Sequence, residues 1–200
     1  MFRLILPIMV LAIGIVGCGA FENVTFPDAA DSAEPDGFDG VPAPGATESL
    51  HAASITGLVH DGCRGFRDSE DVVSQGTITW VKVCHGGGFV NGLQLGYGDH
   101  EGSFMGFQGW RLAVTKWSVP AGERIRRVEV DIAGHYVSRL QFTTDKGSKS
   151  PVFGGGRGQR FDVGDPSGLP LRTISLWANL KRDPSFNRAV TSMTFTFGEP

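Results

Sequence analysis

Residues 51–200 alternate apolar and polar side chains with a period of two, which is typical of half-buried β-strands. In residues 127–132 valine and isoleucine alternate with charged residues, and Met193, Phe195 and Phe197 repeat the pattern near the end of the chain. Clusters of Gly, Pro, Asn and Asp separate these runs, as expected of turns. No stretch of 12 residues carries an apolar helical face. The pattern therefore predicts an all-β body.

The alternating pattern also recurs along the chain. Nine positions agree in type with positions 47 residues later, without a gap. They are Ile78, Val81, Val83, Gly87, Phe89, Val90, Leu93, Gln94 and Leu95, matched by Ile125, Val128, Val130, Gly134, Tyr136, Val137, Leu140, Gln141 and Phe142. A looser third copy begins at Leu171 and resumes at Val190, with seven extra residues in its turn. Each copy predicts a strand, a turn and a strand, and three such hairpins should pack around a common axis. The alternative is chance agreement among alternating hairpins, which is a stronger objection for the third copy.

The N-terminus follows a different pattern. A short basic head precedes 13 apolar residues, Leu4 to Val16, which are too few to span a bilayer but suit a secretory signal. The run ends in Ile15-Val16-Gly17-Cys18, which resembles the lipobox of bacterial lipoproteins. We expect residues 1–17 to be a signal peptide and Cys18 to be lipidated, with ordinary cleavage after Ala20 as the alternative. The protein is then secreted or extracytoplasmic, and lipidation would anchor it to a membrane.

Residues 18–50 are rich in Ala, Pro and acidic side chains. From residue 19 to residue 50 there are seven carboxylates and no Lys or Arg, and no hydrophobic period. Such a segment buries too little apolar surface to offset its ordering entropy, so it predicts a disordered tether. Residues 51–200 form the predicted folded domain. The formal net charge of −3 gives no indication of a nucleic-acid partner.

The three cysteines are Cys18, Cys63 and Cys84. An odd number in an exported protein leaves one unpaired thiol, and lipidation of Cys18 would leave Cys63 and Cys84 to form a disulfide. Two buried free thiols are the alternative. Neither these cysteines nor the five histidines have metal-ligand spacing, and we find neither a nucleophile elbow nor a phosphate loop. We therefore expect no metal, no cofactor and no enzymatic activity.

Several short motifs follow one another in the second half of the chain. They are Gly122-Glu123-Arg124-Ile125, then Leu140-Gln141-Phe142-Thr143-Thr144-Asp145-Lys146-Gly147, then Pro151-Val152-Phe153-Gly154, and finally Gly158 and Phe161. In this order they resemble the jacalin-related lectins, over roughly residues 55–198. The resemblance implies a β-prism of three antiparallel Greek-key sheets with pseudo-threefold symmetry. It also implies sugar binding without a metal.

The same resemblance suggests where a sugar would bind. The family's main site uses a G-x-x-x-D turn before the last strand, but here that turn reads Asn187-Arg188-Ala189-Val190-Thr191. The corresponding turns are Gly87-Gly88-Phe89-Val90-Asn91 and Gly134-His135-Tyr136-Val137-Ser138, so all three lack the carboxylate. The candidate carbohydrate-binding residues are Gly87, Gly88, Phe89, Asn91, Gly134, His135, Tyr136, Asn187 and Thr191. The first turn is favoured because Asn91 keeps a hydrogen-bonding amide, while a plain β-turn is the alternative.

The sequence thus predicts an exported protein that binds a mono- or oligosaccharide of mannose or galactose type. Shallow individual sites would need several copies, as in a homo-oligomer, to give avidity. The alternative is a surface module for protein interaction or structure that kept the fold and lost sugar binding. The missing turn carboxylates favour that alternative.

The mass of the mature N-terminus tests the anchoring hypothesis. Lipidation predicts a chain that begins at Cys18 and carries the added mass of acyl groups, whereas ordinary cleavage predicts an unmodified chain from Phe21. Intact-protein mass spectrometry separates the two. An unmodified Cys18 in the mature protein would contradict lipidation.

Overall fold

The computed structural model describes residues 51–56, 63–180 and 188–199. The predicted signal peptide, Cys18, the predicted tether and Asn187 lie outside the described residues. Almost all regular structure in the described part is β-strand, with one four-residue helix, as the alternating pattern predicts. None of its helices is long and apolar enough to cross a membrane.

The strands are spaced as the Gly- and Pro-rich breaks in the sequence predict. In chain order the elements are β1 (His51–Thr56), β2 (Cys63–Phe66), α1 (Glu70–Val73), β3 (Ile78–Gly86), β4 (Phe89–Tyr97), β5 (His100–Glu101), β6 (Met105–Gly106), β7 (Ala113–Ser118), β8 (Ile125–Ala133), β9 (Tyr136–Thr144), β10 (Phe153–Gly154), β11 (Gln159–Gly164), β12 (Leu171–Asn179) and β13 (Val190–Phe197).

These strands form three antiparallel sheets, each built around one of the predicted hairpins. The hairpin β3–β4 is flanked by β7 on one side and by β5 and β6 on the other, and β8–β9 is flanked by β11 and β10. The third hairpin, β12–β13, is flanked by β2 and β1. In each sheet the outer strand beside the hairpin's first strand is β7, β11 or β2. A longer connection joins this strand to the hairpin, which is the Greek-key arrangement. The third sheet takes both outer strands, β1 and β2, from the beginning of the domain. The predicted β-prism is confirmed.

The pseudo-threefold symmetry extends to irregularities in the strand pairing. Each hairpin has one unpaired residue in its first strand and one in its second strand. The first-strand bulges fall at Thr79, Arg126 and Arg172, and the second-strand bulges fall at Asn91, Ser138 and Thr191. A bulge bends its strand and increases the local twist. All three hairpins therefore bend at equivalent places, as closure around one axis requires.

The core lies between the three hairpins. Twelve inward side chains, four from each hairpin, are at most 1% exposed. They are Val81, Val83, Leu93, Leu95, Val128, Val130, Leu140, Phe142, Ile174, Leu176, Met193 and Phe195. Each such burial contributes roughly 1.5–3 kcal/mol relative to exposure. The period-two pattern of the sequence thus produces one shared core.

A buried polar contact joins parts of two sheets at the end of the prism away from the hairpin turns. The Tyr97 hydroxyl lies 3.0 Å from Asp68 Oδ2, to which it donates, and 2.9 Å from Thr173 Oγ1. The Ser103 amide donates to the other Asp68 oxygen at 2.7 Å. Burial raises the pKa of Tyr97, so the hydroxyl stays protonated and can donate.

The predicted disulfide is wrong, because Cys63 and Cys84 are both free thiols. Cys63 lies in β2, an outer strand of the third sheet, whereas Cys84 lies in β3, in the middle of another sheet. Cys63 Sγ instead lies 3.7 Å from Thr191 Oγ1. Burial raises the pKa of Cys84, and a backbone hydrogen bond from Gly109 offsets this only in part. Cys84 is therefore a small apolar core residue.

We expect Tyr97→Phe to lower the free energy of unfolding by about 1–2 kcal/mol, because Asp68 and Thr173 would lose a buried partner. Urea denaturation followed by circular dichroism measures this. Tyr136→Phe is the matched control, since Tyr136 is only half-buried and should change stability by less than about 0.5 kcal/mol. Equal stability of Tyr97→Phe and the wild type would contradict the role of this contact.

Candidate functional site

The β3–β4 turn, the β8–β9 turn and the described residues that flank the β12–β13 connection lie at one end of the prism, which we call the turn end. Phe89 and Tyr136 join the first two turns, with ring centroids 5.4 Å apart in an edge-to-face arrangement. Asn91 Nδ2 donates to the Arg188 carbonyl oxygen at 2.5 Å and so joins the first turn to the third hairpin. The structure thus brings together the candidate residues that the sequence places far apart.

The first two turns are tight and depend on glycine. Gly87 and Gly88 have φ angles of 61° and 86°, as in a type I′ turn, in which both central residues are left-handed. In the second turn Gly134 has φ of 60°, while His135 has no positive φ, as in a type II′ turn. Gly87, Gly134 and His135 are exposed, and the aromatic pair is half-buried. These residues form the accessible part of the predicted site.

The fifth position of each turn motif is a bulge residue and is buried. Ser138 Oγ donates to the Asp131 carbonyl oxygen at 3.0 Å, and Thr191 Oγ1 donates to the Trp177 carbonyl oxygen at 3.2 Å. Asp131 and Trp177 occupy equivalent positions in their hairpins, opposite the bulge. Both hydroxyl groups therefore satisfy backbone groups that the bulge leaves unpaired. Sugar contact by Thr191 stays a prediction, and its side chain is fully buried.

Asn91 departs from this arrangement. Its side chain is 6% exposed and reaches across to the third hairpin, while its backbone oxygen accepts from the Phe107 amide at 2.8 Å. Asn91 Oδ1 is buried and has no hydrogen-bond partner within the described residues. Asn91 thus holds two loops against the first turn, and its proposed contact with sugar stays a prediction.

The sequence analysis did not include the loop between β6 and β7 among the candidate binding segments. Trp110 in this loop is 86% exposed, and the Arg111 guanidinium carbon lies 4.3 Å from the centroid of its ring. The loop adjoins the first turn, because Ala113 pairs with His85, next to that turn. The sequence feature that could have indicated this loop is the pair Trp110-Arg111, which follows a Gly in a stretch without apolar–polar alternation.

His85 and Asp131 are titratable side chains that lie near the turns. Burial lowers the pKa of His85, whose Nε2 lies 3.1 Å from Thr115 Oγ1, so this ring is neutral at pH 7. Asp131 is buried beside Arg160, with Oδ1 2.9 Å from Nε, and beside Arg139, with Oδ2 3.7 Å from NH1. No group of His, Cys, Asp and Glu among the described residues could hold a metal ion.

We expect Asn91→Asp to destabilise the fold by about 2 kcal/mol or more at pH 7, because a buried carboxylate cannot donate to the Arg188 carbonyl. The pKa of this buried carboxyl would lie above that in the unfolded chain. The penalty should therefore appear as pH rises above about 4 and vanish below it, where both states are protonated. Urea denaturation of variant and wild type at pH 3.5 and pH 7 measures the difference. A penalty that does not depend on pH would contradict this account.

Solved structures of known lectins share this fold. A prostate-specific WGA16 glycoprotein lectin is 20% identical, with a TM-score of 0.60 over 74% of this chain and 99% of that chain. Artocarpin in complex with mannotriose is 13% identical, with a TM-score of 0.56 over 78% and 99%. A mannose-specific jacalin-related lectin from Morus nigra, in complex with mannose, is 12% identical, with a TM-score of 0.56 over 80% and 99%. At these identities the likeness shows the fold alone.

The sequence itself gives the family. No curated protein matches the chain at a significant level. The family model of the jacalin-like lectin domain matches residues 61–170, which is more than half of the chain. That segment includes two of the three hairpins, with both exposed glycine turns. The chain therefore belongs to the jacalin-like lectin domain family.

Proposed function

We propose that this protein binds carbohydrate without enzymatic activity, through the turn end of its β-prism. The observation that carries the proposal is the convergence of two exposed glycine turns and an aromatic pair at one end of a jacalin-like lectin domain. Two similar structures hold mannotriose and mannose, and a mannose- or galactose-type sugar is the ligand class we propose here.

The exposed groups of the turn end suit a pyranose. A sugar presents hydroxyl groups at fixed angles and an apolar ring face, and so needs donors, acceptors and an aromatic surface. The His135 ring can donate or accept, the glycine turns let a ligand approach the backbone, and Phe89 with Tyr136 offers apolar surface. Such a surface gives weak individual contacts, so we propose that several copies act together.

A second candidate function is supported by the buried bulge residues. None of the three fifth positions carries a carboxylate, and each of the three side chains hydrogen-bonds a backbone carbonyl. A module that has lost sugar binding and serves as a protein-interaction or structural surface would have these features. Glycan binding by the folded protein decides between the two.

We also propose that the protein is exported and that Cys18 anchors it to a membrane by a lipid. The apolar run at residues 4–16 and the lipobox-like residues 15–18 support this. Residues 19–50 would then act as a spacer between the membrane and the lectin domain. Multiple copies held on one surface would supply the avidity that single shallow sites lack.

A glycan array tests the sugar-binding proposal. We expect the folded wild type to bind, and His135→Ala to lower the apparent affinity about three- to tenfold, the effect of about 1 kcal/mol in lost contacts. His100→Ala is the matched control, because His100 is also exposed but pairs with Tyr97 at the opposite end of the prism.

Binding that His135→Ala weakens and His100→Ala leaves unchanged supports the turn end as the site. Equal effects of the two variants would refute this location. A folded wild type that binds no glycan class would refute sugar binding and favour the interaction module.

A further inference from the structure

We propose that the turn end is selective for glycans that carry sulfate or carboxylate groups. This inference rests on the proposed function, which it narrows from carbohydrate to anionic carbohydrate. It follows from three arginines on segments beside the first turn, from the lack of acidic partners for them among the described residues, and from an exposed aromatic ring.

Three arginines lie on segments that contact the first turn, each through a separate backbone or neighbouring-residue contact. The Arg188 carbonyl accepts from Asn91 Nδ2. Arg157 follows Gly156, whose amide donates to the Gly88 carbonyl oxygen at 3.0 Å. Arg111 precedes Leu112, whose Cα lies 3.7 Å from where a Cβ on Gly86 would be. Three segments far apart in sequence thus deliver positive charge to one turn.

Within the described ranges these charges have no carboxylate partner, since no carboxylate there forms an ion pair with Arg111, Arg157 or Arg188. In the same part of the chain, Asp131, three positions before Gly134, is the acidic residue nearest in sequence to either glycine turn. Asp131 is itself buried between Arg139 and Arg160. The described residues around the first turn therefore carry unpaired positive charge, although the whole chain has a formal charge of −3.

Two of the three guanidinium groups lie over aromatic rings. The guanidinium carbon of Arg111 is 4.3 Å from the Trp110 ring centroid, and that of Arg188 is 4.6 Å from the Phe107 ring centroid. Cation–π contacts restrict these side chains without using the N–H groups as a carboxylate would. The five donors of each guanidinium thus remain available to a ligand.

Sulfate and carboxylate groups match this arrangement. Their oxygens accept paired hydrogen bonds from a guanidinium fork, and such charge-assisted bonds are roughly twice as strong as neutral ones. A neutral sugar hydroxyl gains less from the same arginine. Trp110, which is 86% exposed, adds a flat apolar surface for a sugar ring next to Arg111. Charge and ring surface together favour an anionic glycan over a polyanion that has no pyranose rings.

The test compares ligands that differ only in charge. Dextran sulfate is paired with dextran, and polygalacturonate with its methyl ester. Inorganic polyphosphate, single-stranded DNA and phosphatidylserine vesicles represent other polyanions. Binding of each ligand to the folded full-length protein is measured at 50 mM and 300 mM NaCl. The glycan array is carried out on the same protein.

Arg111→Gln/Arg157→Gln is the test variant. Arg67→Gln/Lys146→Gln is the matched control, since it removes the same charge from exposed residues that lie away from the turns. We expect the wild type to prefer each charged polymer to its neutral partner at least tenfold. The test variant should lose roughly tenfold in affinity at 50 mM NaCl and lose part of its salt dependence, while the control should not. Trp110→Ala should weaken binding of dextran sulfate but not of polyphosphate.

Three other outcomes would each contradict the inference, and each would show which part of it is wrong. If neutral glycans bind equally well and the test variant is unchanged, the proposed lectin function stands and the preference for anions is wrong. If DNA, polyphosphate or vesicles bind as tightly as the anionic glycans, the surface is a general polyanion site. If no glycan of either charge binds the folded protein, the proposed function itself fails.

Discussion

The whole fold depends on burying three apolar hairpin faces against one another. A two-stranded hairpin is marginal in water, and each hairpin here has four inward side chains that need partners from the other two. Closure around one axis meets this need, and it places the β3–β4 turn, the β8–β9 turn and the adjoining ends of β12 and β13 at the same end. The third sheet is completed by β1 and β2 from the start of the domain, which connects the N-terminal strands to the C-terminal hairpin. The position of the candidate site is therefore a consequence of how the core is packed.

The bulges link this packing to the turns. Each second-strand bulge leaves a backbone group unpaired near a turn, and buried Ser138 and Thr191 satisfy the carbonyls opposite them. Ser138 and Thr191 therefore have a structural role in the fold. Recognition falls to the exposed tips of the turns and to the loops beside them, where side chains can change without disturbing the core.

Charge is distributed unequally between the two ends of the domain. Away from the turns, carboxylates are matched by arginines, as in the contact of Arg124 with Glu199, and Asp68 is held by Tyr97 and Ser103. Around the turns, Asp131 is paired with Arg139 and Arg160, whereas Arg111 and Arg188 stack on aromatic rings. Stacking holds a cation in place while leaving its hydrogen-bond donors unused, so these two arginines are available for binding.

The amino-acid sequence by itself determined the all-β class, the repeat of 47 residues and the inward positions such as Val81, Val128 and Phe142, because side-chain alternation is a local property of each strand. Its ordered motifs also gave the family and the turns where glycine is required. Only the tertiary structure decided what depends on distance between strands. It separated Cys63 from Cys84 by placing them in different sheets, and it buried the Asn91 amide in a hydrogen bond to Arg188. It also gathered Arg111, Arg157 and Arg188 around one turn. Contacts between residues far apart in sequence arise from the closure of the three sheets, and no local pattern contains them.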